Sequence, residues 1–168
     1  HVFDLGDVVP EGRRLEGLAR VAPWLGEFRD DVLERRLADA GCDVVPREHL
    51  KQIVEAGYHA PSGCNKQTTS FIAVDDPEVM AKLHAVIDPP VGETAPAMIC
   101  VLTQKIIAYR DRSFYIQDYA AAIQNMLLAI SDLGYASCWI EGHITDTDRI
   151  GYRMQKILGV PEEFDLVC

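Results

Sequence analysis

A run of six apolar residues, Ala97–Leu102, most constrains the fold of this chain. A strand with one exposed face alternates apolar and polar residues. An unbroken run of this length is instead typical of a strand that is buried on both faces. The run therefore predicts a central strand.

A long helix is predicted for Phe114–Leu133, because apolar residues recur there at helical spacing and Gly134 follows as a C-terminal cap. The helix is apolar over much of its circumference, so we expect it at the centre of the fold. Gln124 and Asn125 interrupt the apolar pattern and are expected to form local hydrogen bonds. Asp118 is expected to act as a structural acceptor and not as a general base.

Shorter elements are predicted on either side of this pair. Pro46 and Glu48 are typical of a helix start, and Asp76-Pro77-Glu78 is a stronger start signal of the same kind. A further helix is predicted from Asp146–Asp148 to Gly159. The remaining predicted strands are Phe71–Val74, Tyr135–Ile140 and Phe164–Cys168, and the last has only begun where the sequence stops, so we expect the native chain to continue.

Length and charge narrow the class of protein. With 168 residues and 48% hydrophobic residues the chain suits one globular domain, which we place at residues 26–168 with an N-terminal extension or arm at residues 1–25. The formal net charge of −10 works against binding to nucleic acid or to an anionic membrane surface. An odd number of cysteines, five, without paired spacing indicates reduced thiols, and we expect a cytoplasmic protein.

Polar side chains are concentrated in the junction Ala60–Gln67, between a predicted helix and a predicted strand. Ser62, Asn65 and Gln67 can all donate and accept hydrogen bonds. This junction is where we expect a ligand. From spacing alone, capping of the loop explains the same residues about as well.

Several motifs occur together in a fixed order along the chain. They are Ala60–Gly63 with Asn65 and Gln67, a strand led by Pro96, Asp118 and Gln124–Ala129 in the long helix, Leu133–Gly142, and Leu158–Pro161. In this order they resemble the nitroreductase family of FMN-dependent oxidoreductases, from about residue 27 to residue 168. No single motif carries the resemblance.

The resemblance implies an α+β sandwich in which a mostly antiparallel central sheet is flanked by helices. It also implies an intertwined homodimer with two FMN sites at the subunit interface. Such proteins take hydride from NADH or NADPH and pass it to nitroaromatics, quinones or similar small-molecule electron acceptors. Under this resemblance the flavin N5 carries the hydride, so no side chain is assigned as catalytic and no metal is expected.

The resemblance also assigns cofactor-binding residues. Arginines at the end of a helix would approach the phosphate of FMN. Residues of the junction would hydrogen-bond the flavin ring or the ribityl chain. Backbone N–H groups after Trp139 would lie beside N5. The assigned residues are Arg35, Arg36, Pro61, Ser62, Asn65, Gln67, Ile140, Glu141 and Gly142.

Some residues depart from the family pattern. Leu37 stands where a serine is common, and Asp39 stands where a basic residue is common. Thr68-Thr69 replaces a usual Pro-Trp pair. These departures keep open a non-catalytic dimeric protein with weakened or lost flavin binding. A branch of the family that fragments flavin or removes halogen is a further alternative.

Two hypotheses without flavin also remain open. Cys64 could act as a nucleophile with His59 nearby. Cys138 and His143 could join the same two residues in a zinc site, although the spacings are not the usual short ones. Arg35 and Arg36 could equally belong to a solvated helix face.

Overall fold

The computed structural model describes residues 44–145 and 149–168. Its helices are α1 (Arg47–Tyr58), α2 (Pro77–His84), α3 (Tyr115–Asp132), α4 (Gly142–Thr145) and α5 (Ile150–Leu158), with a short 3₁₀ helix at Gly63–Asn65. Its strands are β1 (Thr69–Val74), β2 (Met98–Thr103), β3 (Ile107–Tyr109), β4 (Arg112–Ser113) and β5 (Asp165–Leu166). Within these residues, no helix has the length and apolar character needed to cross a membrane.

Some predictions fall outside this description. They concern the arm at residues 1–25, the arginines Arg35 and Arg36, the departures Leu37 and Asp39, and the helix start at Asp146–Asp148.

The predicted central strand is confirmed. In the described chain β2 lies between β1 and β5, and both pairings are antiparallel. Thr69 pairs with Thr103 at one end of the β1–β2 ladder, and Val74 pairs with Met98 at the other. Successive residues of a strand face opposite sides of the sheet, so β2 enters two cores at once. Cys100 and Leu102 belong to one core and Val101 to the other.

Helices cover both faces of this sheet. One core joins the sheet to α2 and α5 through residues such as Leu83, Ile150 and Met154, all at most 2% exposed. The other joins it to α1 and α3 through Ile53 and Ile123. The predicted α+β architecture, an antiparallel sheet flanked by helices, is therefore confirmed.

The long helix closely matches its prediction. It begins at Tyr115 and ends at Asp132, with Gly134 in the left-handed region just beyond it. Asn125 donates a hydrogen bond to the backbone oxygen of Ala56 in α1, so its partner is a distant part of the chain and not the local one that was predicted. Gln124 is exposed and needs no buried partner. Ile116 and Leu128 are about half exposed, so the described residues cover α3 on one side only.

The strand predicted at Tyr135–Ile140 is wrong, because the structure shows no strand there. Both edges of β2 are paired with β1 and β5, and residues 135–140 pair with neither of these two outer strands. β5 itself contributes only Asp165 and Leu166 to the ladder. Residues 136–139 are exposed as a result.

Candidate functional site

The junction after α1 has an unusual backbone. Cys64, Asn65 and Gln67 have φ angles of 52°, 54° and 50°. Positive φ is uncommon for residues other than glycine and costs free energy, so it persists only where the surrounding structure enforces it. Three such residues within four positions indicate that tertiary contacts hold the junction in this shape.

Asp118 supplies those contacts from the first turn of α3. Its Oδ1 accepts a hydrogen bond from the backbone N–H of Gly63 at 2.7 Å, and its Oδ2 accepts one from the hydroxyl of Thr68 at 2.7 Å. Asp118 is 5% exposed and Thr68 is 2% exposed. The two bonds compensate for burial of the carboxylate. The structural role predicted for Asp118 is confirmed.

Close packing at Gly63 fixes the junction further. A Cβ at this position would lie 2.6 Å from the Cβ of Phe114, which is far inside van der Waals contact. Within the junction, the hydroxyl of Ser62 accepts a hydrogen bond from the backbone N–H of Gln67 at 2.9 Å. The loop is thus held by the contacts of Gly63 with Asp118 and Phe114 and by a hydrogen bond within the loop itself.

The predicted ligand-binding side chains lie on the outer side of this anchored loop. Pro61, Asn65 and Gln67 are exposed, and Ser62 is half-buried. The side-chain amides of Asn65 and Gln67 have no hydrogen-bond partner among the described residues, whereas the backbone N–H of Gly63 beneath them is bonded to Asp118. An anchored backbone with free amides can present donors and acceptors to a ligand.

The second predicted segment, Ile140–Gly142, is anchored by Tyr119, the residue after Asp118 in α3. The hydroxyl of Tyr119 donates to Oε1 of Glu141 at 2.5 Å. The backbone oxygen of Glu141 accepts hydrogen bonds from the N–H groups of Ile144 and Thr145 and so begins α4. Burial raises the pKa of Tyr119, and its hydrogen bond to Glu141 raises it further, so the phenol remains a donor.

Asp118 and Tyr119 therefore bind the two predicted segments from consecutive positions of α3. Sequence reasoning predicted both segments and the structural role of Asp118, but it missed Tyr119, Thr68 and Phe114 as anchors. A tyrosine next to an aspartate in an otherwise apolar helix was the available signal.

A groove lies elsewhere on the described part of the chain. It has a volume of about 360 Å³ and is formed by α1 and β1. Its lining is Arg47, Leu50, Lys51, Val54, Phe71, Ala73 and Asp75. None of the predicted site residues that the structure describes belongs to it.

The cysteines divide by burial. Burial raises the pKa of Cys100 to about 12, and the pKa of Cys168 is raised to about 12 mainly for the same reason. Neither thiol forms a thiolate readily, whereas Cys64 is exposed. Among the described residues, no three His, Cys, Asp or Glu side chains converge as metal ligands. The side chain of His143, which the zinc hypothesis needs, lies outside that description.

Comparison with known proteins identifies the family. The model of the nitroreductase family matches residues 42–88 and 84–168 of the chain, which include both anchored segments. The chain belongs to the nitroreductase family. A protein of Archaeoglobus fulgidus provisionally named NADH dehydrogenase/NAD(P)H nitroreductase is 32% identical over 116 residues, which are 68% of this chain. The matched region is 66% of that relative's length.

Two solved nitroreductases share the fold. An FMN-dependent nitroreductase of Clostridium difficile is 27% identical, with a TM-score of 0.64, 74% of this chain covered and 73% of the other. A nitroreductase of Bacteroides fragilis solved with bound FMN is also 27% identical, with a TM-score of 0.58, 82% of this chain covered and 84% of the other. The α+β fold described above is thus the nitroreductase fold.

Proposed function

We propose that this nitroreductase-family chain is an FMN-dependent oxidoreductase that uses NADH or NADPH to reduce a small-molecule electron acceptor, such as a nitroaromatic or a quinone. The observation that carries the proposal is the anchored junction, in which Asp118 holds three residues at positive φ while Asn65 and Gln67 stay exposed. The FMN bound to the Bacteroides fragilis structure supports this choice of cofactor.

The described residues fit a flavin ring. The polar rim of a flavin alternates acceptors with an N–H donor, and amide side chains such as Asn65 and Gln67 offer both kinds of group. At Gly142 no atom lies within 4 Å of where a Cβ would stand, and glycine leaves room for a flat ring to approach the backbone. Arg35 and Arg36 are proposed as the phosphate partners.

Each residue has a positioning role in this proposal. FMN, when bound, supplies the hydride chemistry. Ser62, Asn65 and Gln67 would orient the polar rim by hydrogen bonds, with Pro61 at the edge of the loop. Glu141 and Gly142, after Ile140, would present backbone N–H groups to the ring. Protons for the acceptor would come from water, and none of these side chains needs to act as an acid or a base.

We also propose that the active form is a cytoplasmic homodimer in which two subunits together form each flavin site. Large apolar side chains exposed in the single chain support an interface. Ile116 and Leu128 lie on the uncovered side of α3, and Trp139 is 38% exposed in the segment that leads to Glu141. Light scattering on the purified protein should give twice the mass of the chain.

A second candidate is a dimeric family member with weakened or lost flavin binding. It is favoured by Leu37 and Asp39, because leucine offers no hydroxyl and aspartate repels a phosphate. The two candidates differ in whether added FMN binds at all.

Steady-state assays test the enzymatic part of the proposal. The purified protein is incubated with FMN, and consumption of NADH and of NADPH is followed with a quinone and with a nitroaromatic. Turnover that depends on both FMN and acceptor is the expected result. Protein that holds FMN and reduces neither acceptor with either nicotinamide would refute this activity.

A further inference from the structure

The phenol of Tyr119 reaches from the core to the proposed cofactor segment. Tyr119 is 4% exposed and packs in the same core as Val101, Ile123 and Met126. Its hydroxyl nevertheless donates to the half-buried carboxylate of Glu141, 22 residues away, at 2.5 Å. A buried phenol normally requires a partner, and here the partner is a residue assigned to the flavin site.

We infer that Tyr119 is a positioning residue, which fixes Glu141 and thereby the backbone of Ile140–Gly142 that faces the cofactor. The inference rests on the proposed function for its consequence in FMN binding. The contact itself is a property of the protein without cofactor. It can therefore be tested separately.

The chemistry of the pair suits a fixed anchor. An ionised carboxylate only accepts hydrogen bonds, and a phenol that keeps its proton can donate to it. A hydrogen bond to a charged group is stronger than one between neutral groups. Because the ring of Tyr119 is packed in the core, the position of its hydroxyl oxygen is set by α3 and by the sheet.

Beyond this bond, the segment is restrained by packing of Ile140 against the core in which Ile144 is buried. Residues 136–139 are exposed and belong to no strand. The backbone oxygen of Glu141 accepts hydrogen bonds from the N–H groups of Ile144 at 2.9 Å and Thr145 at 3.2 Å. Glu141 is therefore bonded through its side chain to α3 and through its backbone to α4. Loss of the phenol should loosen the start of α4 as well as Glu141.

Amide hydrogen exchange of the protein without FMN tests the anchor. In Tyr119→Phe, which keeps the ring, the amides of Ile144 and Thr145 should exchange roughly tenfold faster than in the wild type. The matched control is Tyr135→Phe. Tyr135 lies just after α3, and its phenol also forms a side-chain hydrogen bond, with Nδ1 of His49 at 2.7 Å. This control should leave both amides unchanged. Equal exchange in Tyr119→Phe and the wild type would overturn the inference.

Equilibrium titration with FMN tests the consequence. Tyr119→Phe and Glu141→Ala should each weaken binding about tenfold, and the double variant should be no weaker than either one, because both remove the same interaction. Glu141→Gln keeps an acceptor and should stay within about threefold of the wild type. If Tyr119→Phe weakens FMN binding by the same factor in the wild type and in the Glu141→Ala variant, Tyr119 does not act through Glu141 and the inference is wrong.

The outcomes separate this inference from the proposed function. A wild type that binds no FMN refutes the proposed function, while hydrogen exchange still decides the role of Tyr119. If Tyr119→Phe does not fold, Glu141→Ala and Glu141→Gln decide it instead. If the amides of Ile144 and Thr145 exchange faster in Glu141→Ala but not in Glu141→Gln, the anchor is supported. Equal exchange in the two variants overturns it.

Discussion

The Asp118 carboxylate accepts a hydrogen bond at 2.7 Å from the backbone N–H of Gly63, which lies 55 residues earlier in the chain. The bond joins the first turn of a core helix to a loop with three residues at positive φ. A strained loop keeps its shape only if such contacts outweigh its preference for other conformations. Asp118 is therefore central to the stability of the junction.

Replacement of Asp118 by asparagine should destabilise the protein. Asparagine has one acceptor oxygen, for Gly63 N–H, and can meet the Thr68 hydroxyl only as a donor, so two hydrogen bonds to a charged carboxylate become neutral ones, at a cost of about 1–3 kcal/mol. Asp132→Asn is the matched control, because it makes the same change at an exposed position of the same helix. Urea unfolding measures both variants. Equal free energies of unfolding for the two would contradict the role given to Asp118.

Replacement of Gly63 by alanine should also be destabilising. The added Cβ would meet Phe114 at 2.6 Å, and overpacking of this kind costs about 1–3 kcal/mol. Phe114→Leu combined with Gly63→Ala should recover little of the loss, because leucine keeps the Cβ that the added methyl group meets. Gly142→Ala, which meets nothing within 4 Å, should change the melting temperature little. A melting temperature of Gly63→Ala equal to that of the wild type would show that the loop moves freely.

The role of Asn65 in binding can be tested without disturbing its backbone. Asn65→Gly removes the amide and keeps positive φ accessible. If the amide hydrogen-bonds the flavin, the dissociation constant of FMN should rise about tenfold, as expected for loss of about 1.4 kcal/mol. Arg110→Gly is the matched control, since Arg110 has a φ of 52° in the turn between β3 and β4. Equal FMN affinity of the two variants would remove Asn65 from the site.

Stability should fall at alkaline pH because of the buried thiol of Cys100. Its pKa is raised from 9.0 to about 12 by burial, so the folded protein keeps a proton that the unfolded chain releases. This contribution is intact below pH 9 and is lost progressively as the pH rises toward 12, with a slope of up to about 1.4 kcal/mol per pH unit.

Urea unfolding at several pH values from 8 upward measures this loss. Cys100→Ala should show a shallower decline of the free energy of unfolding than the wild type. Cys64→Ala, at an exposed cysteine, should keep the decline of the wild type. Identical declines in Cys100→Ala and the wild type would show that the buried thiol does not contribute.

The sequence predicted those elements whose signals are local. The apolar run Ala97–Leu102 identified β2, because burial on both faces leaves no polar position in a strand. The helix predicted for Phe114–Leu133 matched α3 to within one residue at each end, because its periodicity is long and its cap is a glycine.

The failures depend on distant parts of the chain. The segment Tyr135–Ile140 has residues suited to a strand but pairs with no other strand, and residue preferences do not report pairing. Positive φ at Cys64 and Gln67 is enforced by the contacts around Asp118 and not by these residue types. The bond between Tyr119 and Glu141 depends on the path of the chain over 22 residues. The partners of both anchors therefore become visible only in three dimensions.

Titration of the purified protein with FMN, followed by visible absorption and flavin fluorescence, tests the central claim most directly. The account predicts saturable binding of one FMN per chain, with a flavin absorption spectrum that stays with the protein after gel filtration. It also predicts weaker binding by Asn65→Gly than by Arg110→Gly. A colourless protein that binds no added FMN at micromolar concentration would contradict the account.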